Sequence, residues 1–504
     1  MKNTLIFLLT ALMLTQTVFT SCSTTQSEST PDETEASVQT QTSDDETIPA
    51  ETEELDMIPM ESDDLGEYNF GDADFKMLSP SPDSMTWANP VLNVDEMNGE
   101  SLNDAIYIRN HAIEERFSVK LLEEYDSWDI GANTLRTIVS SGDQTYAFVS
   151  MLDRFALTSM EEGLVVPYAN IPNINLEKIY WGGEMLTYSS IGGVNYFAFG
   201  DFSLYAYDNI SALLFNQNLV SQYNLESPYE LVNSGTWTMD KFETMSAVVT
   251  DDLDGDGVMT EKDVYGYLAM PKQVLPSFWI AGGTLSISKD DSDIPTLNLN
   301  DETFVNLIER TFNMTWDSGV WYQNTIVADT DLTLETMFMN NKGLFHDSTF
   351  NKIIRLREMD SDFGIIPYPK ADESQNSYNS RLSGALFACV PSIANNLDMT
   401  GVVMEALASE SRKTVIPTYY EVSMKNKYSR DNASSQMLDI IFSGRVYDLG
   451  DTFWCDQIRD NFIKTMMTNN DRNLSSYVAK TKKSLGKKIE NSMKNIMAVG
   501  NPEQ

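Results

Sequence analysis

The stretch Tyr146-Ala-Phe-Val-Ser-Met-Leu-Asp153-Arg154-Phe155 is a strand-length, mostly apolar run that stops at an acid and a base. Near-continuous apolar runs of this length are what strands covered on both faces look like. Working outward, Phe75 and Met77 alternate as on a strand. Leu102, Ile106, Ile113 and Phe117 share one helical face, Val119 and Leu121 return to strand spacing, and Leu135, Ile138 and Val139 mark another helix. This β-α-β-α-β order predicts an α/β fold with a mostly parallel sheet under helices. Ligands of open α/β sheets lie beyond the carboxyl ends of strands, which makes Asp153 and Arg154 candidate contacts.

The chain has 504 residues, enough for two globular domains. Acidic residues outnumber basic ones 75 to 34, for a net charge of −41, so no basic face is available to neutralise nucleic-acid phosphates. Two histidines are too few for a zinc site built on several imidazoles. Lys2, an apolar run from Leu5 to Phe19 and small residues before Cys22 read as a secretion signal over residues 1–21. Phe19-Thr-Ser-Cys22 resembles the bacterial lipobox, which predicts that Cys22 is lipidated and anchors the chain to the membrane. Residues 22–67 carry 15 acidic side chains and no Lys or Arg, the composition of a disordered, self-repelling tether. Cys389 and Cys455 either pair outside the cell or stay as buried thiols.

A metal motif stands at Asp252-Leu-Asp254-Gly-Asp256-Gly257-Val258-Met-Thr260-Glu-Lys-Asp263. Carboxylates at positions 1, 3, 5 and 12 with glycine at 6 match a calcium loop of the EF-hand kind, because a hard cation needs oxygens converging around a tight turn. Val258 would add its carbonyl, Thr260 a hydroxyl or a water, and Asp263 the closing carboxylate. The ion would be structural, since nothing beside it resembles a nucleophile or base. A solvated acidic turn is the alternative.

Downstream, Trp237, Phe242, Met245 and Val249 fit the inner face of a helix leading into this loop, and Phe304, Leu307, Ile308 and Phe312 fit another. Met339 to His346 and Phe363 to Pro369 read as short strands broken by loops, with Pro367 and Pro369 stiffening a connection. Leu485, Ile489, Met493 and Ile496 predict a terminal amphipathic helix whose lysines are solvated.

Taken in order, these pieces resemble the extracellular solute-binding proteins of bacterial ABC importers, in the carbohydrate group that includes maltose-binding protein. The resemblance is carried by Ala212-Leu-Leu-Phe-Asn216, Asn224-Leu225, Thr236-Trp237 before a helix, Asp254-Gly-Asp-Gly followed by Val264-Tyr-Gly266 as in Gram-positive members, Asn341-Lys-Gly-Leu-Phe-His346 and Asp362-Phe-Gly-Ile-Ile-Pro-Tyr-Pro-Lys370. It implies a type II periplasmic-binding-protein fold. Lobe 1 would comprise residues 68–205 and 367–415, and lobe 2 residues 206–366 and 416–500, with a ligand cleft between them. It also implies a monomeric, lipid-anchored receptor on the extracellular face of the cytoplasmic membrane, delivering a carbohydrate to permease subunits, with no catalytic residue.

Two local matches imply contacts. Asp153-Arg154-Phe155 is similar to a segment that binds sugar hydroxyls, and Phe453-Trp454 to one whose Trp stacks on a sugar ring. Asn209 stands where the family has an acidic contact, which argues against maltose itself. Trp87, Trp279 and Tyr378 are further aromatic candidates in loop-like settings. The Asp153/Arg154 pair also fits a salt link at a helix start, and Trp454 fits core packing. His346 beside Asp347 reads as a polar contact near the hinge. A secreted glycoside hydrolase, needing two carboxylates about 5–10 Å apart, and a calcium-stabilised surface adhesion protein are the alternative functions.

Overall fold

The computed structural model describes residues 60–500 apart from 86, 184, 324–330, 357 and 421–431. The expected signal, Cys22 and most of the expected tether lie outside the described residues. Among the described residues, no helix is long and apolar enough to cross a membrane.

Strand β1 (Ala73–Pro80) opens the first sheet. Helix α1 (Ser101–Phe117) follows and buries Ile106, Ile113 and Phe117, as the 3–4 spacing predicts. It ends at Ser118 in the left-handed conformation (φ 50°), which turns the chain straight into β2 (Val119–Asp126). Helix α2 (Ala132–Ser141) buries Leu135 and Ile138 and is capped by Gly142 at φ 73°, a conformation glycine adopts without a Cβ clash. β3 (Tyr146–Leu152) is buried along nearly its whole length and runs directly into α3 (Asp153–Glu161).

The second sheet takes β4 (Ser211–Asn216) and β5 (Tyr265–Leu268). A hairpin of β6 (Ile287–Lys289) and β7 (Pro295–Leu297) comes next, then β8 (Gly343–Thr349) and β9 (Phe363–Ile366), which return to the sheet. The chain then recrosses through β10 (Ser380–Arg381) and β11 (Leu386–Cys389), and finally passes β12 (Arg445–Val446).

Strand order is β11-β3-β1-β2 in the first sheet and β5-β8-β4-β9 in the second. β1 is parallel to β2 and β3, as expected, and β11 adds an antiparallel edge from late in the chain. The second sheet is mixed: β5 is parallel to β8, while β4 is antiparallel to both neighbours. Under it, Phe242 packs on Phe345, Tyr267 and Phe278 with ring centroids 5.0, 5.2 and 5.4 Å apart. The helix carrying Phe242, Met239–Val249, lies so close to β5 that a Cβ on Gly266 would stand 2.3 Å from the Ser246 side chain. Beside them Trp237 is fully buried and donates its indole N–H to the Pro367 carbonyl at 3.0 Å.

Three chain passages lie side by side between the sheets. Ile210 bridges Leu382, Ser383 donates to the Asn209 carbonyl at 3.0 Å, and β10 runs parallel to β12. The segment before Ile210 is a short helix over Tyr205–Asp208. The last helix, Leu474–Gly500, buries Leu485, Ile489, Met493 and Ile496 as their spacing predicts. Tyr477 packs on Phe462, whereas Ser492 donates to Glu161 and Val499 covers Gly163, so this helix finishes against α3 of the first lobe.

Candidate functional site

Both sheets end on one cleft of about 600 Å³. From the first lobe, Trp87 follows β1, Trp128 follows β2, and Asp153 and Arg154 follow β3. On the second-lobe side, Met270, Lys272 and Gln273 follow β5, while Thr349, the last residue of β8, and Asn351 and Lys352 beyond it complete that wall. Tyr205, Asn209, Ser383 and Gly384 line it from the crossing passages, and Asp451, Cys455 and Arg459 from the segment after β12. The strand-end rule therefore collects most of this wall.

Asp153 is buried at the first turn of α3. One carboxylate oxygen accepts from the Arg154 N–H at 2.7 Å, and the other from the Ala385 N–H at 2.7 Å and the Tyr447 hydroxyl at 2.9 Å. Burial pushes its pKa up to about 6 against these donors. Arg154 reaches Asp456 and, at 3.1 Å, Asp460. The guanidinium thus turns to Asp456 and Asp460, and from this neighbour Asp153 takes only the backbone N–H. Asn209 faces the cleft, and its side-chain N–H donates to the Tyr205 carbonyl at 3.3 Å.

Deeper in, Arg381 of β10 and Asp451 form a bidentate pair (2.6 and 3.0 Å) in which neither side chain is more than 1% exposed. The same arginine donates to the Gln273 side-chain carbonyl at 2.5 Å, and Arg459 donates to Asp451 and, at 2.9 Å, to Asp460.

The aromatic wall differs from the expected one. Trp454 is fully buried away from the cleft, edge-on to Phe453, and belongs to the core. Trp279 is likewise buried and donates to Asp448 at 2.9 Å, and Tyr378 is buried with its hydroxyl on the Val232 carbonyl. None of these three touches the cleft. The wall is instead the half-buried corner of Trp87 and Trp128, ring centroids 5.5 Å apart at 75°, with Phe155 against Trp128 at 5.6 Å. Trp128 was missed because its loop, Ser127-Trp-Asp, carries no pattern beyond its place after β2. Arg459 and Gln273 were missed because only tertiary packing brings their helices to the cleft.

Cys389 and Cys455 are free, buried thiols, and burial pushes the Cys455 pKa up to about 12. His346 sits within β8, its ring stacked on Phe338 at 5.3 Å, and does not line the cleft.

In the acidic loop, carboxylate oxygens of Asp252, Asp254 and Asp256 come within 4.8 Å of one another. Gly255 and Gly257 take positive φ there (68° and 80°) and donate to Asp252. Asp263, expected at the closing position, stands outside this trio. It is fully buried, and its two oxygens accept from the backbone N–H groups of Leu253 (3.0 Å) and Thr260 (2.7 Å), pinning the two ends of the loop. Those hydrogen bonds hold its pKa below the usual carboxylate range. The Thr260 hydroxyl also turns to Asp263, and the Val258 N–H to Asp256, while the Val258 side chain is exposed. The residues present fit a hard cation on three carboxylates, with water completing its shell.

No family model matches the sequence, and no curated protein matches it closely. Solved structures do match the fold. The sugar-binding protein MalE from Xanthomonas citri superposes with a TM-score of 0.59 at 10% identity, over 86% of this chain and 100% of that one. A cyclo/maltodextrin-binding protein complexed with maltotetraose gives 0.57 at 14% identity, over 84% and 98%. An extracellular solute-binding protein from Staphylococcus aureus in complex with maltose gives 0.56 at 13%, over 83% and 98%. The chain therefore has the two-lobed α/β fold of the solute-binding proteins, with its cleft where the two sheets meet.

Proposed function

We propose that this chain is the substrate-binding component of an ABC importer, capturing a carbohydrate, in the first instance an oligosaccharide, outside the cytoplasmic membrane and handing it to permease subunits. One observation carries the reading. A single inter-lobe cleft combines an aromatic corner, Trp87 and Trp128, with the hydrogen-bonding side chains Arg154, Gln273, Asn351 and Arg459. A sugar presents an apolar ring face and a plane of hydroxyls, and needs both kinds of wall. The sugars named with the structural neighbours support the ligand class. Lobe closure would turn binding into a signal for the permease.

Binding rather than hydrolysis is supported by the state of the cleft carboxylates. Asp153 accepts three hydrogen bonds and Asp451 is held by two arginines, so neither is free as general acid or base. Calorimetry against neutral and acidic mono- to tetrasaccharides tests the proposal: saturable binding of one sugar class is expected, and no heat with any of them sinks it. Release of reducing ends would favour a hydrolase.

The lipobox-like Phe19-Thr-Ser-Cys22 supports anchoring through Cys22, which predicts that Cys22→Ser moves the protein from the membrane to the medium. The trio Asp252, Asp254 and Asp256 supports a structural calcium ion that would neutralise their mutual repulsion.

A further inference from the structure

Arg154 belongs to the first lobe, whereas the helix Asp456–Ile463 that pairs with it packs on Pro271–Ala281, the helix that follows β5 of the second lobe. The ion pair therefore spans the cleft. Arg154 pairs with both Asp456 and Asp460 of that helix, and of the two Asp460 also reaches Arg459. One Asp460 oxygen accepts from Arg154 at 3.1 Å and the other from Arg459 at 2.9 Å. From Arg459 the polar path continues to Asp451 (3.3 Å), on to Arg381 of the hinge strand β10 (2.6 Å) and on to Gln273 of the second lobe (2.5 Å). Arg154, Arg459, Asp451 and Gln273 line the cleft, while Asp460 does not. The two arginines outweigh its burial and hold its pKa below the ordinary value, so it is ionised at neutral pH.

We propose that Asp460 is a positioning residue of the cleft: its carboxylate holds Arg154 of the first lobe to Arg459 of the second, and so ties ligand engagement at Arg154 to lobe closure. A cross-cleft ion pair favours the closed arrangement, and a ligand hydroxyl that hydrogen-bonds Arg154 meets a guanidinium already aimed across the gap. With side chains 29% and 27% exposed, the Arg154–Asp460 pair is open enough for salt to weaken it. The ligand half of the inference rests on the solute-binding reading; the closure half does not.

The test uses the full folded chain with one spin label at an exposed position on each lobe, and no sugar. Between about 0.05 M and about 1 M NaCl, over which the screening length falls from beyond 10 Å to about 3 Å, the wild-type lobes should move apart. Asp460→Asn, which leaves Arg154 its Asp456 partner, should be more open at low salt and respond less to salt. Arg154→Ala removes both pairs and should be at least as open, and the double variant should be no more open than Arg154→Ala alone, because Asp460→Asn then has no link to Arg154 left to break. Maltotetraose is the binding probe, and Asp460→Asn should weaken it about fivefold, the scale of a partly exposed ion pair. A wild-type lobe distance indifferent to salt, a full salt response in Asp460→Asn, or additive opening in the double variant overturns the proposal. A merely structural Asp460 would lower Tm without changing the salt response. Failure of every sugar to bind, with the salt response intact, would count against the carbohydrate reading and leave the latch standing.

Discussion

Replacing Arg381 with Met cuts the hinge where it is least able to adapt. The arginine is 1% exposed and its partner Asp451 is fully buried, so the substitution strands a carboxylate out of contact with water. Arg459, at 3.3 Å, is then its one remaining ionic partner among the described residues. Removing one member of a buried pair costs about 3–5 kcal/mol, and the surviving arginine favours the lower end. At about 2.1 cal/mol/K per residue over about 440 residues, the entropy of unfolding is about 0.9 kcal/mol/K. If the body melts as one unit, Tm should fall by about 3–5 °C, read by scanning calorimetry. Adding Asp451→Asn removes the stranded charge yet leaves a carbonyl for Arg459, so the double variant should regain at least half the loss. Gln273 also loses its anchor, so sugar affinity should drop in both variants. A fall under about 1 °C, or a double variant less stable than Arg381→Met alone, would refute this account of the hinge.

Trp128→Ala should weaken sugar binding about tenfold, near 1.4 kcal/mol, with little loss of Tm; Trp454→Ala should instead cost about 3–5 kcal/mol of stability, as core truncations do, and leave affinity nearly unchanged. Burial raises Asp153, Asp201 and Asp208 each to about 6 from 3.8, so between those values the folded chain binds more protons than the unfolded one. Their stabilising contribution is full below pH 3.8 and lost as pH rises through 6. Carboxylates held low, such as Asp263 and Asp317, give up theirs only at still lower pH. Melting followed at constant ionic strength should thus show higher Tm at pH 5 than at pH 7.5, and the reverse order would contradict the burial of these groups. A chelator should lower Tm and added calcium restore it, with no response in Asp254→Asn; a wild-type Tm indifferent to both removes the ion.

The first lobe was legible because its pattern is local: β1 to α3 alternate in register with their own apolar spacing, and Asp153 and Arg154 mark the strand end that opens on the cleft. The antiparallel strands β4, β9 and β11 were less so, since their partners lie more than a hundred residues away in sequence or are brought in by the crossing passages. Among the tryptophans, sequence could rank loop settings but not burial. Trp454 and Trp279 pack inside, while Trp128, in a three-residue turn with no apolar neighbours in sequence, stands at the cleft. Asp263 shows the same limit in the metal loop. Spacing places a carboxylate at the closing position, but two backbone N–H groups claim its oxygens.

A receptor of this fold must close its cleft on a sugar. Small-angle scattering during titration with the oligosaccharide that gives the largest calorimetric signal measures that closure directly. A saturable decrease in radius of gyration, matching the calorimetric isotherm and shifted to higher sugar concentration in Trp128→Ala, is the predicted result. Sugar binding with no compaction, or compaction unaffected by Trp128→Ala, would contradict it.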